Sequence, residues 1–466
     1  MIRGPVRNAG YLFAGEAASR VFGFLTASVL ARRLGVDGFG QIGFAAARLA
    51  YGVVFTDLGL MTVGTRSVAR DRSRAGELVG SVVPLRLLLS LVAAAAMVLV
   101  ALALPKPASV KWLLVFYAGA VIVQSAIFEW VFIGAEQMGF VSLSRIVTNC
   151  GYFGLVLFLV RSPRSLLFVP AAFGIATALS ALVLLVAYAQ RFGLPRLRFS
   201  AAGWRELLKS AWPIGASSLL TQLHVNLGLI LLGLTATFQQ TGIYNSAYRL
   251  VFFLMTLDRV FYTVFFPVVS RLLKDQPGRL PELVGTAARM ILALSVPFCV
   301  GAFILARPIL GLVFSTDYVG AFPVLRVLVW FLPLSMFNSL AGYTLLAAGN
   351  ERLFLRNTAI GVGAAVVFNL VAIPLAGSTG AALAIVAGET GLLVLMGWGL
   401  LRMVKPKLEL RTLAPLVAAA AMAVVVHLLR GINLVGCIGF GALTYSVFLL
   451  LLRGITAEDI GLARNG

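Results

Sequence analysis

Apolar runs of bilayer-crossing length follow one another from residue 10 to residue 452, each closed by a short polar or basic segment. About 20 apolar residues in a helix cross roughly 30 Å of hydrocarbon. By that measure the chain predicts fourteen spans: 10–30, 40–64, 82–104, 112–134, 146–160, 166–189, 212–235, 243–269, 290–314, 322–348, 358–376, 381–401, 413–429 and 432–452. The fifth, around Cys150-Gly151-Tyr152, is the least apolar, and the last two form a plain hydrophobic pair. A transmembrane barrel would show short segments of strict alternation, a pattern this chain lacks. Backbone groups in hydrocarbon must find internal partners, so helices are the remaining solution. The expected fold class is all-α, a polytopic membrane protein.

The polar positions inside the runs carry a repeat. Arg48-Leu49 is followed nine positions later by Asp57, and Arg249-Leu250 by Asp258, an offset of 201. Glu77-Leu-Val-Gly80 recurs at an offset of 205 as Glu282-Leu-Val-Gly285. Six spans separate the copies, so both start in the same orientation, as in a parallel transporter repeat. The organisation expected is an N-terminal lobe of spans one to six (1–190), a basic cytoplasmic linker (191–209), a C-terminal lobe of spans seven to twelve (210–402), and an appended pair with a cytoplasmic tail (403–466). No linker exceeds about twenty residues, which leaves no room for a soluble domain.

Composition agrees: 60% of residues are hydrophobic, 12% charged, and the mean hydropathy is +0.98. The net charge of +21 reads as topology and attraction to anionic lipid, so nucleic acid need not be invoked. With the N-terminus inside, the cytoplasmic segments hold 24 of the 38 basic residues, beginning with Arg3 and Arg7. The opposite loops hold Arg32, Arg33, Lys106, Lys111, Arg161, Arg164 and Arg430. Both termini are expected in the cytoplasm. Glu16 and Arg20 interrupt the first run, unlike a signal peptide. Cys150, Cys299 and Cys437 lie in spans at no metal-ligand spacing, and His224 and His427 have no metal-spaced neighbours. No Gly-Lys dipeptide occurs, so the phosphate loop of P-loop ATPases is absent. No cofactor is expected.

Several stretches, taken in order, resemble the polysaccharide flippase family, the Wzx-like branch of the multidrug/oligosaccharidyl-lipid/polysaccharide exporters. Leu30-Ala-Arg-Arg-Leu-Gly35 running to Phe39-Gly40, then Asp57-Leu-Gly-Leu60, is similar to its opening signature. Trp130-Val-Phe-Ile-Gly134-Ala-Glu136 resembles its fourth-span ending. Gly242-Ile-Tyr244-Asn-Ser-Ala247-Tyr-Arg249 and Phe266-Pro267-Val-Val-Ser-Arg271 resemble its seventh-to-eighth span region, and Asn369 through Pro374 to Gly380-Ala-Ala382 its eleventh and twelfth spans. The resemblance implies about 14 transmembrane helices in two six-helix lobes plus two. It also implies a non-enzymatic flippase of the cell inner membrane that moves polyprenyl-pyrophosphate-linked oligosaccharide outward by alternating access. A polysaccharide polymerase and glycosyltransferases are the partners it implies. The rivals are a multidrug extruder of the same superfamily and an integral-membrane glycosyltransferase or polymerase. Arginines in the spans disfavour cationic drugs, and short outer loops with only Asp37 and Asp317 as acids, and no Asp-x-Asp, disfavour the enzymes.

A charge near the bilayer centre costs several kcal/mol and persists where it faces water or a partner. Arg20, Arg48, Arg249 and Arg259 are the basic residues deepest in spans one, two and eight, and guanidinium forks suit phosphate. They are the candidate pyrophosphate ligands. The alternative is neutralisation by a neighbouring acid, favoured for Arg20, whose partner Glu16 stands at i−4. Arg48 and Asp57, about 900° and roughly 13.5 Å apart along a helix, cannot bridge each other. Arg86, Arg307 and Arg326 fall near span ends, where snorkelling is expected. Glu16, Asp57, Glu129, Asp258 and Glu389 are candidates for proton or sodium coupling, the alternative for each being an interhelical bond. Pro213, Pro267, Pro297, Pro333 and Pro374 are candidate hinges.

Overall fold

The computed structural model describes residues 3–193, 197–407 and 409–454, and the expected tail from residue 455 lies outside them. Every regular element in the described residues is helical. Packing divides the chain into two compact units, Met1–Gly242 and Ile243–Gly466. Many large apolar side chains point outward, Phe158 at 72% exposure and Leu375 at 81%, which suits lipid and not water.

In the first unit, α1 (Arg3–Asp57), α2 (Leu60–Arg70), α3 (Ala75–Ala103), α4 (Ala108–Ser125), α5 (Glu129–Gly134), α6 (Met138–Leu159), α7 (Phe168–Phe192) and α8 (Ala201–Thr235) follow in order. At 1.5 Å per residue α1 would be about 80 Å long, over twice the hydrocarbon thickness. It is interrupted at Gly35, where φ is 70° and ψ 177°. Its first half packs on α6, Phe22 against Phe153 at 5.6 Å between ring centroids. The second half runs along α8, where the Tyr51 hydroxyl donates to the Gln222 carbonyl at 3.1 Å. Leu58 and Gly59, with φ of 42° and 86°, then turn the chain by 43° into α2. The Trp130-to-Glu136 stretch folds as α5, with Trp130 fully buried against Gly64, so close that a Cβ there would stand 2.5 Å from the ring.

The second unit continues from α9 (Phe238–Leu254), which begins at the end of the first, through α10 (Thr256–Asp275), α11 (Leu280–Ile304), α12 (Ala306–Val313), α13 (Phe322–Leu328) and α14 (Phe331–Ala347). Then come α15 (Glu351–Met403), α16 (Ala414–Leu428) and α17 (Leu434–Leu451). Within α15, Gly377 has φ 53° and ψ −127°, and the chain folds back there. Asn357 donates to the Leu395 carbonyl at 3.0 Å, although 38 residues of straight helix would separate them by about 57 Å. The last two helices dock on α11 through the Tyr445 hydroxyl, which donates to the Ala293 carbonyl at 2.8 Å.

Among the described residues eleven helical stretches, some joining two of these helices, are long and apolar enough to cross a membrane, or twelve with the bent α1–α2 pair, against the fourteen predicted. The difference lies in α1 and α15, each holding two of the predicted spans in one helix that continues through a glycine.

The repeated Glu-Leu-Val-Gly has a structural explanation. In the first unit Gly80 O accepts from Arg198 N at 2.7 Å and Glu77 pairs with the Arg198 guanidinium at 3.5 Å. In the second, Lys407 N donates to Pro281 O at 3.0 Å, and Lys407 Nζ meets Glu282 at 2.7 Å. Each copy thus clamps the basic linker that follows the sixth or twelfth predicted span onto the start of α3 or α11. The ion pairs are exposed and weak, so the backbone approach is the larger constraint. A Cβ on Gly285 would overlap Lys407 O. Gly285→Ala should therefore lower stability by about 1–3 kcal/mol, while Gly363→Ala, in open space on α15, should be neutral or slightly stabilising. Thermal unfolding in detergent reads both, and equal melting of the two variants would refute the clamp.

Candidate functional site

The charged residues of the spans fall into three settings. In the first unit, Glu16 and Arg20 stand one turn apart on α1, and Arg20 Nε and NH2 meet Glu16 Oε1 at 3.2 and 3.1 Å. Arg145 on α6 bridges the two acids, NH1 to Glu16 Oε2 at 3.1 Å and Nε to Glu129 Oε2 at 3.2 Å. Ser144 donates to the other Glu129 oxygen at 3.0 Å, and Asn149 donates to Ser19 at 3.0 Å. The close approach of Gly15 to Ser142, 2.8 Å from where a Cβ would sit, brings α1 and α6 near enough for these bonds. Two positive and two negative side chains make a half-buried network. Sequence reasoning missed Arg145 by starting the fifth span one residue later. The signal available was Glu129, an acid in a span with no partner one turn away.

Arg48 is in a different setting. It is half-buried on α1, its guanidinium carbon 3.6 Å from the Phe44 ring centroid. Its one hydrogen bond is a marginal 3.5 Å donation to the Phe44 carbonyl of its own helix, and no described carboxylate is within ion-pair range. Arg249, its counterpart on α9, is also half-buried, and its Nε has no hydrogen-bond partner. It too has no ion pair among the described residues. Arg259, next to Asp258 on α10, is exposed.

Asp57 and Asp258 occupy comparable places in their helices. Asp57 ends α1 with its carboxylate on the first turn of α2, and Asp258 lies in the first turn of α10, where the positive end of the helix dipole favours a carboxylate. Asp57 accepts from Met61 N at 3.0 Å and Gly59 N at 3.3 Å. Arg86, electrostatically coupled to Asp57, departs from the expected snorkelling. It is 2% exposed and donates to the Ile127 carbonyl, at 2.5 Å, where the chain breaks between α4 and α5. The Ile127 carbonyl it donates to and the charge of Asp57 hold it inward. Arg307 is exposed over the Phe322 ring, as expected near a span end.

Asp258 accepts from Ser339 at 3.1 Å through Oδ2, while its Oδ1 has no partner. One residue earlier on α14, Asn338 donates to Glu389 Oε1 at 3.0 Å and leaves its own Oδ1 without a donor. Glu389 is 4% exposed and acts electrostatically on Asp258. Two carboxylates and an amide oxygen on α10, α14 and α15 thus share one environment. Elsewhere in this unit an apolar cavity of about 460 Å³ is lined by Leu250, Phe253, Pro297, Phe298, Met422 and Tyr445, among others.

Residues 6–273 match the model of a family described as polysaccharide biosynthesis protein. The chain belongs to that family. A putative O-antigen transporter of Escherichia coli (strain K12) is 22% identical over 248 residues, covering 52% of this chain and 59% of that protein. The fold is shared with lipid II flippase MurJ in an inward closed conformation, at TM-score 0.76 and 14% identity over 95% of this chain and 98% of that one. An inward-facing multidrug resistance MATE family transporter of the MOP superfamily matches at TM-score 0.65 and 17% identity over 83% and 94%. The family expected from the sequence is therefore the family found, and the chain is a multi-pass membrane protein with a transporter fold.

If the network around Arg145 is a unit, its members are coupled. Arg145→Gln should cost about 1–3 kcal/mol by leaving two carboxylates without their donor, and adding Glu129→Gln should recover part of that loss. A double-mutant cycle on thermal stability measures the coupling, and simple additivity would show that the bridge carries no energy.

Proposed function

We propose that the protein is a flippase, not an enzyme, that carries polyprenyl-pyrophosphate-linked oligosaccharide from the inner to the outer leaflet of the cytoplasmic membrane by alternating access, for cell-surface polysaccharide export. The observation that carries this reading is the pair Arg48 and Arg249. Two guanidinium groups are held within apolar helices with no described carboxylate to neutralise them, at repeated positions. Such groups are stable when an anion or water occupies the space before them, and a pyrophosphate is the anion this family's cargo offers. Arg20, committed to its network, and the exposed Arg259 stand behind them in the proposal. The apolar cavity of the second unit has the chemistry for isoprenoid and none for sugar.

In this reading the lobes 1–190 and 210–402 repeat one another, the pair from 403 onward is appended, the spans number fourteen, and both termini are cytoplasmic. Polymerase and glycosyltransferases are the partners supplying and consuming the cargo. A multidrug extruder is the second reading, supported by the fold shared with the MATE transporter, but cationic drugs would meet two unneutralised arginines. An integral-membrane glycosyltransferase would need acid/base groups outside the membrane, where the chain has few acids.

Losing a charge-assisted hydrogen bond costs about 1.5–3 kcal/mol, or roughly ten- to a hundredfold in affinity. Arg48→Gln and Arg249→Gln should each weaken binding of a polyprenyl pyrophosphate by that factor at normal membrane abundance. Unchanged binding and flipping in the double variant would remove the assignment.

Among the candidate coupling acids, Asp258 and Glu389 fit a proton or a monovalent cation best, since acceptor oxygens of Asp258 and Asn338 lack donors. Asp57 is engaged as a helix cap, and Glu16 and Glu129 by Arg145. An anionic headgroup moving outward also gains about 2.3 kcal/mol per charge per 100 mV of inside-negative potential, with no acid required. In proteoliposomes, Asp258→Asn should abolish stimulation by an ion gradient while leaving the response to membrane potential. Full gradient stimulation in that variant would assign the drive to the potential alone.

A further inference from the structure

Two arginines of the second unit stand apart from the charges of the spans. Arg307 lies on α12, just after the spanning stretch Pro277–Ile304, and Arg326 lies on α13, early in the next one, Thr316–Ala347. The chain between residues 304 and 316 joins those two stretches, so both arginines stand near one face of the membrane. Phe303 precedes Arg307 by four residues and Trp330 follows Arg326 by four, each further into its span and each 40% exposed. Exposed aromatic rings at the end of a span mark the headgroup level of a bilayer. The two guanidinium groups are therefore set where lipid phosphates lie.

Their side chains converge on one ring. The guanidinium carbon of Arg307 is 4.2 Å from the Phe322 ring centroid and that of Arg326 is 5.1 Å from the same centroid, so the two charges are no farther apart than those two legs together. Arg326 also stands 4.9 Å from the Phe303 centroid, and its Nε donates to the Phe303 carbonyl at 2.9 Å. That bond uses Nε and leaves the fork of the two terminal nitrogens, the edge that matches a phosphate. No described carboxylate pairs with either arginine, and Asp317, the acid nearest to both in sequence, accepts from Ser315 Oγ at 3.3 Å. Snorkelling alone would let two like charges diverge into water. Here cation–π contacts with a shared ring hold them together.

We propose that Arg307 and Arg326 form a binding site for the phosphate of a membrane lipid, with Phe322 as the floor that aims both guanidinium groups and with Phe303 and Trp330 against the apolar chain below the headgroup. The site is separate from Arg48 and Arg249 and needs no transport to operate. Only its assignment to the outer leaflet rests on the orientation proposed above. Two lipids offer this chemistry, an anionic phospholipid such as phosphatidylglycerol and a polyprenyl phosphate, since each joins a phosphate to a long apolar chain. A lipid bound here would tie α12 to α13 across the turn between them.

The experiment titrates lipid into the delipidated full chain in neutral detergent and counts the lipid retained by native mass spectrometry. The probes are phosphatidylglycerol, polyprenyl phosphate and, as a lipid without phosphate, diacylglycerol. Arg307→Gln and Arg326→Gln should each weaken retention of a phosphate lipid by about tenfold, the weight of one charge-assisted hydrogen bond. Phe322→Leu should weaken it as well, although both charges remain. Arg161→Gln, at an exposed arginine of the first unit on the same expected side, should leave retention unchanged, and diacylglycerol should bind parent and variants alike. A loss confined to phosphatidylglycerol supports the site with bulk phospholipid as its ligand, and one confined to polyprenyl phosphate supports it with the carrier. Parent-level retention of both phosphate lipids in the double variant would overturn the site. So would an equal loss in Arg161→Gln, which would mean general attraction of charge, or an equal loss of diacylglycerol, which would mean apolar contact only. Arg307 is exposed and makes no described hydrogen bond, so its variant keeps the test decisive should Arg326→Gln fail to fold. Retention that follows the expected pattern in a chain that flips no oligosaccharide leaves the site standing and removes only the transport reading.

Discussion

The cost of a charge surrounded by hydrocarbon orders this molecule. Few side chains in the spans are of charged types, and most of those are held by a neighbour. Arg20, Glu16, Arg145 and Glu129 cancel one another across α1, α5 and α6. Arg86 is buried with Asp57 as its electrostatic partner. Those charges tie helices together. Arg48 and Arg249 differ because no described acid pairs with them, and this is the ground on which they are proposed as anion ligands.

The same cost explains the glycines. Helices in lipid gain little from apolar contact, so their association depends on close backbone approach and on hydrogen bonds. Gly15 lets α1 reach the acids' partner on α6, and Gly64 accepts the Trp130 ring. Gly40, after the break at Gly35 in α1, differs from these because it faces a carbonyl oxygen, that of Phe238, and not a side chain. Contacts of that kind are weak singly, whereas charged side chains hold α1 and α6 together.

Much of this was legible in the sequence. Apolar runs, the Arg/Asp repeat and the ordered motifs were enough for the all-α class and the family, because hydrocarbon thickness imposes a length that periodicity cannot blur. Helix ends were less legible. Gly35 and Gly377 reverse or interrupt the chain inside continuous helical pattern, and one glycine among 47 carries no mark of its φ angle. Sequence position alone makes Arg145 a loop residue and Arg86 a snorkelling one, because nearness to a span end implies exposure. The structure buries Arg86 since Asp57 and the Ile127 carbonyl lie inward, and no one-dimensional pattern records a partner 29 residues away. The Glu-Leu-Val-Gly copies showed the converse, a repeat visible in sequence whose meaning, a clamp on the following linker, needed coordinates.

The two units resemble each other in sequence but differ in how they satisfy their acids. In the first, Glu16 and Glu129 meet Arg145, and Asp57 caps α2 within the field of Arg86. In the second, Asp258 accepts from Ser339 and Glu389 from Asn338, and the two acids act on each other electrostatically. The sequence repeat places an arginine at the same position of each unit, and the different setting of the acids in the two units is the asymmetry on which the proposed coupling rests. In that proposal a cation at Asp258 would change the charge there without disturbing the ion pairs that hold the first unit together.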